Sequence, residues 1–136
     1  MKMTKVIREY MDETLSAKRL EANKKARADY DARRNACIEE LKALRESMRE
    51  PVENILRKYG MDTEYKWYSS AHPMFNEVWE MNEGRIQNQN ELAIISDKEQ
   101  RRMETQKTAI RDIELEMALG GDKAKFMEML ANVVIE

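Results

Sequence analysis

One histidine and one cysteine are the chain's whole supply of the side chains that most often carry nucleophilic or metal chemistry. His72 stands before Pro73, with no Glu-x-x-His or His-x-x-His spacing around it and no cysteine nearby. General acid–base work needs a partner within hydrogen-bond reach, and a zinc site needs three or four ligands. A capping or turn role is therefore the reading of His72. Cys37 falls in a row with Leu41 and Leu44 at helical spacing, which predicts a small buried hydrophobe. The carboxylates come as helix-surface pairs, without the inward Glu-x-x-His pattern of di-metal bundles. Gly120–Gly121 lacks the rest of a phosphate loop or dinucleotide fingerprint. These residues predict a chain that is not an enzyme and holds no metal or cofactor.

Binding chemistry has two candidate places. Residues 18–34, KRLEANKKARADYDARR, carry seven basic side chains: Lys18, Arg19, Lys24, Lys25, Arg27, Arg33 and Arg34. At 100° per residue they spread around most of a helix circumference and do not line one face. Glu21–Lys25 and Asp29–Arg33 sit at the i,i+4 spacing that supports an exposed helix. The stretch reads first as a solvated connector, and second as a grip for nucleic-acid phosphates or an acidic partner. The other place is residues 59–79, which hold six of the nine aromatics: Tyr59, Tyr65, Trp67, Tyr68, Phe75 and Trp79. They form either the hub on which helices converge or an interface, because tyrosine and tryptophan anchor both. Eleven methionines add adaptable apolar surface. Only Lys66 interleaves the aromatics of TEYKWYS, so a base-stacking platform has little support.

Composition sets the frame for these residues. Charged residues make up 37% of the 136 positions, against four glycines and two prolines, which favours long helices over sheet or disorder. The length suits a single helical domain. The net charge of −2 provides no global field for nucleic acid or an anionic membrane. Its distribution is uneven: residues 1–50 are basic on balance, while 51–84 and 85–136 are acidic. No apolar run approaches the roughly 18 residues that span a bilayer, and the N-terminus lacks a signal-peptide run. A single cysteine agrees with a reducing cytoplasm.

The elements follow from apolar spacing. Met3, Ile7, Tyr10, Thr14 and Ala17 open a helix, and Cys37, Leu41, Leu44, Met48, Val52, Ile55 and Tyr59 form a second seam in heptad rhythm. A four-residue stutter in that seam coincides with Pro51, which lacks an N–H and clashes with the preceding turn. The spacing predicts a helix from Thr4 to Glu50, roughly 70 Å long, that projects as an arm beyond its own core. A break near Pro51 and a short helix closed by Gly60 follow. Residues 51–84 form the aromatic hub, with a short extended segment at 63–69 and a helix entry at Ser70–Pro73. A third helix resumes at Arg85, with Leu92, Ile95, Met103, Gln106, Ile110, Ile113 and Met117 inward, and the polar run Gln87–Asn90 is either its surface or a loop. Gly120–Gly121 stops it. Asp122 caps a last helix with Phe126, Met129, Leu130, Val133 and Val134 as its apolar face.

The expected class is all-α, a bundle or coiled-coil arrangement built on the long first helix. The expected function is a non-enzymatic protein–protein interaction module. Its interface candidates are Tyr65, Trp67, Tyr68, Phe75, Trp79, Leu41, Leu44 and Met48. The partner would be a second copy or a host protein; the small, motif-free profile resembles the inhibitors that phage and mobile elements encode, which implies a host protein as the target. The alternatives are a nucleic-acid-associated helix using residues 18–34 and a coiled-coil scaffold. A dimer or hetero-complex without membrane contact is expected.

Overall fold

The computed structural model describes residues 1–62 and 83–136. Of these, 83% lie in helices and none lies in a strand. The helices are α1, Lys5–Ser47; α2, Arg49–Lys58; α3, Gln89–Ala118; and α4, Lys123–Asn132, with a single 3₁₀ turn at Glu83–Arg85. Packing divides the described chain into two units. One holds Met1–Asp29 and Gln89–Glu136, the other the described part of Tyr30–Asn88. The extended segment expected at 63–69, the entry at Ser70–Pro73 and His72 lie outside the described residues.

Local chemistry sets the helix ends. Thr4 Oγ1 accepts from Ile7 N at 3.3 Å and starts α1. Near Pro51 the helix is interrupted at Met48, whose N–H is shared between the Leu44 and Arg45 carbonyls at 3.2 and 3.3 Å. This places Pro51 in the first turn of α2, where its missing N–H would have had no helical partner. Gly60, at φ 70°, closes α2 by a Schellman motif, with Met61 N donating to Leu56 O at 2.8 Å. Gly120, at φ 103°, closes α3 in the same way through Gly121 N and Glu116 O at 3.1 Å. Asp122 accepts from Lys125 N at 2.8 Å and caps α4, as its residue type predicts. The third helix starts at Gln89 and not at Arg85. The run Gln87–Asn90 therefore straddles its start, and Asn88 N is held by the Tyr30 hydroxyl at 2.9 Å.

In the first unit, α1 up to Asp29 runs with α3 and α4 around a small core. Met11 and Leu15 of α1, Ile113 and Met117 of α3, Phe126 and Leu130 of α4, and Ile135 are buried together. Ile7, Ile110, Met129 and Val133 pack against them. The inward face of α1 thus runs through Ile7, Met11 and Leu15, while Tyr10 and Ala17, expected inside, are exposed. Val134 is also exposed, and Ile135 takes the place next to it.

In the second unit Tyr30 and Ile38 are buried, and Arg34, Leu41, Arg45, Met48 and Val52 are half-buried. Cys37, expected as a small core residue, is exposed, as are Leu44, Ile55 and Tyr59. The difference is one of phase: the inward row Arg34, Ile38, Leu41, Arg45 and Met48 keeps heptad steps, and Cys37 and Leu44 stand one position beside Ile38 and Arg45.

Candidate functional site

The seven basic residues do not share one solvated state. Lys18 Nζ donates to the carbonyls of Leu130, Ala131 and Val133 at 3.2, 3.2 and 2.9 Å. These are the last carbonyls of α4 and its exit, which have no intrahelical partner and carry the negative end of the helix dipole. Arg19 Nε donates to Gln106 Oε1 at 2.7 Å, and Gln106 Nε2 donates to Ser16 Oγ at 3.0 Å. Arg102 Nη1 donates to Asn23 Oδ1 at 3.1 Å. Arg27 approaches Glu99 Oε1 with Nε at 3.0 Å and Nη2 at 2.9 Å. Three polar rungs therefore join α1 to α3 where the apolar core stops.

In the second unit, Arg34 Nε donates to Ile86 O at 2.9 Å and Nη2 to Glu83 O. Arg33 lies over the Tyr30 ring at 5.8 Å from its centroid. Lys24 and Lys25 remain exposed, and no ion pair joins Glu21 to Lys25 among the described residues. The solvated-connector reading is therefore corrected for Lys18, Arg19, Arg27 and Arg34. Positions too polar for an oily core are packed by hydrogen bonds, and a count of apolar residues per turn cannot register that.

The third expected inward position of α3 is also corrected. Met103 is 37% exposed, and Arg102, 7% exposed, takes the inward place. Its Nε has no hydrogen-bond partner. Arg102 lines a groove with Ala17, Ala22 and Ala26 of α1 and with Val133 to Glu136. No sequence signal pointed to it, since its row through Glu99 and Gln106 becomes visible only once α3 is paired with α1.

A second concavity is almost wholly apolar. Met1, Val6, Ile7 and Tyr10 of the N-terminal segment face Lys123, Phe126 and Met127 of α4. Val6 is 74% exposed, Tyr10 47% and Met127 41%, so the unit's own helices leave this surface uncovered.

Among the described residues, titration is shifted in surface ion pairs. Lys42 Nζ and Glu83 Oε1 are 2.9 Å apart. The hydrogen bond and then the charge of Lys42 hold the Glu83 carboxyl below the usual carboxylate range, and Glu83 raises Lys42 in return. Arg49 is raised by Glu53 and Glu46 in the same way. Among the described residues no group of three or more His, Cys, Asp or Glu could hold a metal ion. No described helix is long and apolar enough to cross a membrane.

Of the expected interface residues, Leu41 and Met48 are half-buried and Leu44 is 48% exposed. Tyr65, Trp67, Tyr68, Phe75 and Trp79 lie outside the described residues. Neither Val6, Tyr10 and Met127 as a patch nor Arg102 was singled out by sequence. Val6 and Met127 stand beside the inward rows and not on them, which gives no signal until the helices are paired.

No family model matches the chain, and no curated protein or solved structure is similar to it.

Proposed function

We infer that this chain is a helical protein–protein interaction module that works by binding and not by catalysis. The observation that carries the reading is the apolar notch between the start of α1 and α4. Val6 and Tyr10 stand one turn apart as an exposed ridge, beside Met127 and the edge of Phe126. Apolar side chains with a tyrosine at the centre are what a partner helix buries, and such anchors dominate interface energies. The sequence supports the same reading through its methionines and its lack of any catalytic constellation.

A protein that inhibits or adapts one host factor is the narrower form of this proposal, in a reducing cytoplasm that agrees with the single Cys37. A second copy of the chain is the simplest partner, and a coiled-coil scaffold would extend that pairing to higher oligomers. The test compares wild type with Val6→Asp/Met127→Asp by sedimentation and by quantitative co-purification. Loss of self-association or of one stoichiometric partner, with the far-ultraviolet circular dichroism unchanged, supports the reading. Identical association of both proteins overturns it. Binding to nucleic acid through Lys24 and Lys25 is the second reading, and it requires an affinity that falls steeply with salt.

A further inference from the structure

Arg102 is 7% exposed, and its side chain ends in a guanidinium cation. A buried charge is tolerated when it is paired, and leaving it unpaired is strongly unfavourable. Yet its one hydrogen bond is to the neutral Asn23 side chain, and no ion pair reaches it among the described residues. Nη1 is taken by Asn23, so the Nε–Nη2 edge carries no hydrogen bond, and Nε is sealed from solvent without a partner. Nε is therefore out of a ligand's reach, and Nη2, which has no hydrogen bond and is not sealed, is the nitrogen that can meet a carboxylate in the groove.

The surroundings narrow what could complete it. Arg102 lines a groove of about 940 Å³ whose apolar walls are Ala17, Ala22, Ala26, Val133, Val134 and Ile135. That size suits a small molecule. These apolar walls are aliphatic, and no described aromatic ring lines the groove, so they offer contact to an alkyl body and no stacking platform. Lys25 adds a second cation to the lining, while Lys18 is committed to the α4 carbonyls. Glu21 and Glu136 line the groove as well, and they disfavour a multiply charged anion such as a phosphate dianion. A monoanion with an aliphatic tail matches Arg102, Lys25 and the aliphatic walls at the least cost against Glu21 and Glu136.

We propose that the groove between α1 and Val133–Glu136 binds an aliphatic monocarboxylate, with its head on Arg102 and its alkyl body along the alanine and valine walls. The site is separate from the apolar notch of Val6 and Tyr10, and it stands or falls independently of it.

The experiment titrates octanoate into the full chain, following the melting temperature and the Nε–H resonance of Arg102. Octanol supplies the same tail without charge, and acetate the same head without a tail. The expected result is saturable octanoate binding that moves the Arg102 resonance. Octanol should bind about tenfold or more weakly, the factor that one charge-assisted hydrogen bond supplies, and acetate about tenfold or more weakly because it lacks the buried methylenes. Lys25→Glu, outside the α1–α3 rungs, should weaken octanoate several-fold. Arg102→Gln should abolish the saturable response. If that variant does not fold, the wild-type Nε–H resonance decides alone. An unmoved resonance, octanol binding as tightly as octanoate, or acetate doing so, overturns the proposal. So does an Arg102 resonance that responds only to Glu136→Gln, because Glu136 would then be the counter-ion.

Discussion

Arg27 of α1 and Glu99 of α3 meet through two contacts to one carboxylate oxygen, at 3.0 and 2.9 Å. One turn back along α1, Asn23 faces Arg102, and a further turn back Arg19 faces Gln106. This order fixes the antiparallel register of the two helices. Sliding α3 by one turn in one direction would bring Arg102 to Arg27 and leave Glu99 without its cation. Polar layers inside helix pairs set register at some loss of stability, and here they occupy the stretch that has no apolar alternative.

A double-mutant cycle on Arg27→Met and Glu99→Gln should therefore give a coupling energy of roughly 0.5–1 kcal/mol, since both side chains keep partial contact with water. Denaturant midpoints of the four proteins measure it. A coupling near zero would show that the rung contributes to register without contributing to stability.

Lys18 joins residues more than a hundred positions apart by donating to the α4 exit carbonyls. Lys18→Met keeps the apolar stem and removes the donor, so it should lower stability by about 1–2 kcal/mol. The loss should be local. Amide exchange at Val133, Val134 and Ile135 should rise, with that in the middle of α3 little changed. Uniform acceleration throughout the unit would mean that the lysine holds the whole core.

Four helix ends were legible because each is set by one residue acting on its neighbours, whereas the start of α3 at Gln89 and the end of α1 at Ser47 were not. Thr4, Gly60, Gly120 and Asp122 act through bonds within five residues, so type and position suffice. The inward half of α3 was legible for a related reason. Leu92, Ile95, Gln106, Ile110, Ile113 and Met117 repeat in one row and all turn inward. The α1 row was not, because Met11 and Leu15 compete with Tyr10 and Thr14, each one position away. Only the pairing with Ile113 and Met117 decides between them. Polar packing was hidden altogether. Nothing in the spacing of Arg19, Asn23 and Arg27 says which partner atoms a second helix will bring, and the Arg102 groove depends on that same pairing.

Leu15→Ala and Ile113→Ala should each cost about 2–5 kcal/mol, the range for emptying a buried aliphatic site. Tyr10→Ser and Cys37→Ser, both exposed, should stay within about 0.5 kcal/mol of wild type. Thermal melts of the four variants order the two rows directly. A large loss from Tyr10→Ser with no loss from Leu15→Ala would invert the assignment of the buried face.

Lys24→Glu/Lys25→Glu should leave stability unchanged to within tenths of a kcal/mol, because neither side chain makes an ion pair here. Arg34→Met should behave differently, since its donors satisfy the Ile86 and Glu83 carbonyls around the 3₁₀ turn. Exchange protection near Arg85 and Ile86 should fall in that variant. Equal effects of the two changes would show that all the basic residues of this stretch are equivalent, as a bare connector requires.

Lys42 and Glu83 make a pH-dependent tie within the second unit. The Glu83 pKa is lowered, first by the Lys42 hydrogen bond and then by its charge, with smaller help from Arg34 and Arg45. A lowered carboxyl contributes stability above its unfolded pKa and loses it as pH falls through the folded value. Lys42 is raised, so its contribution is present below the unfolded lysine pKa and lost as pH rises through the raised one. The tie is thus intact across neutral pH and fails at both extremes, first by protonation of Glu83 on the acid side. Both groups keep substantial contact with water, so the effect on global stability is small and the pKa itself is the readout. Carboxyl carbon titration by NMR should place Glu83 below an ordinary glutamate in the wild type and move it up in Lys42→Met. High salt should shift the wild-type value in the same direction, since the charge contribution is screened. A Glu83 titration unchanged by Lys42→Met would mean that Lys42 does not hold this carboxylate in solution, and that Arg34 and Arg45 set its environment instead.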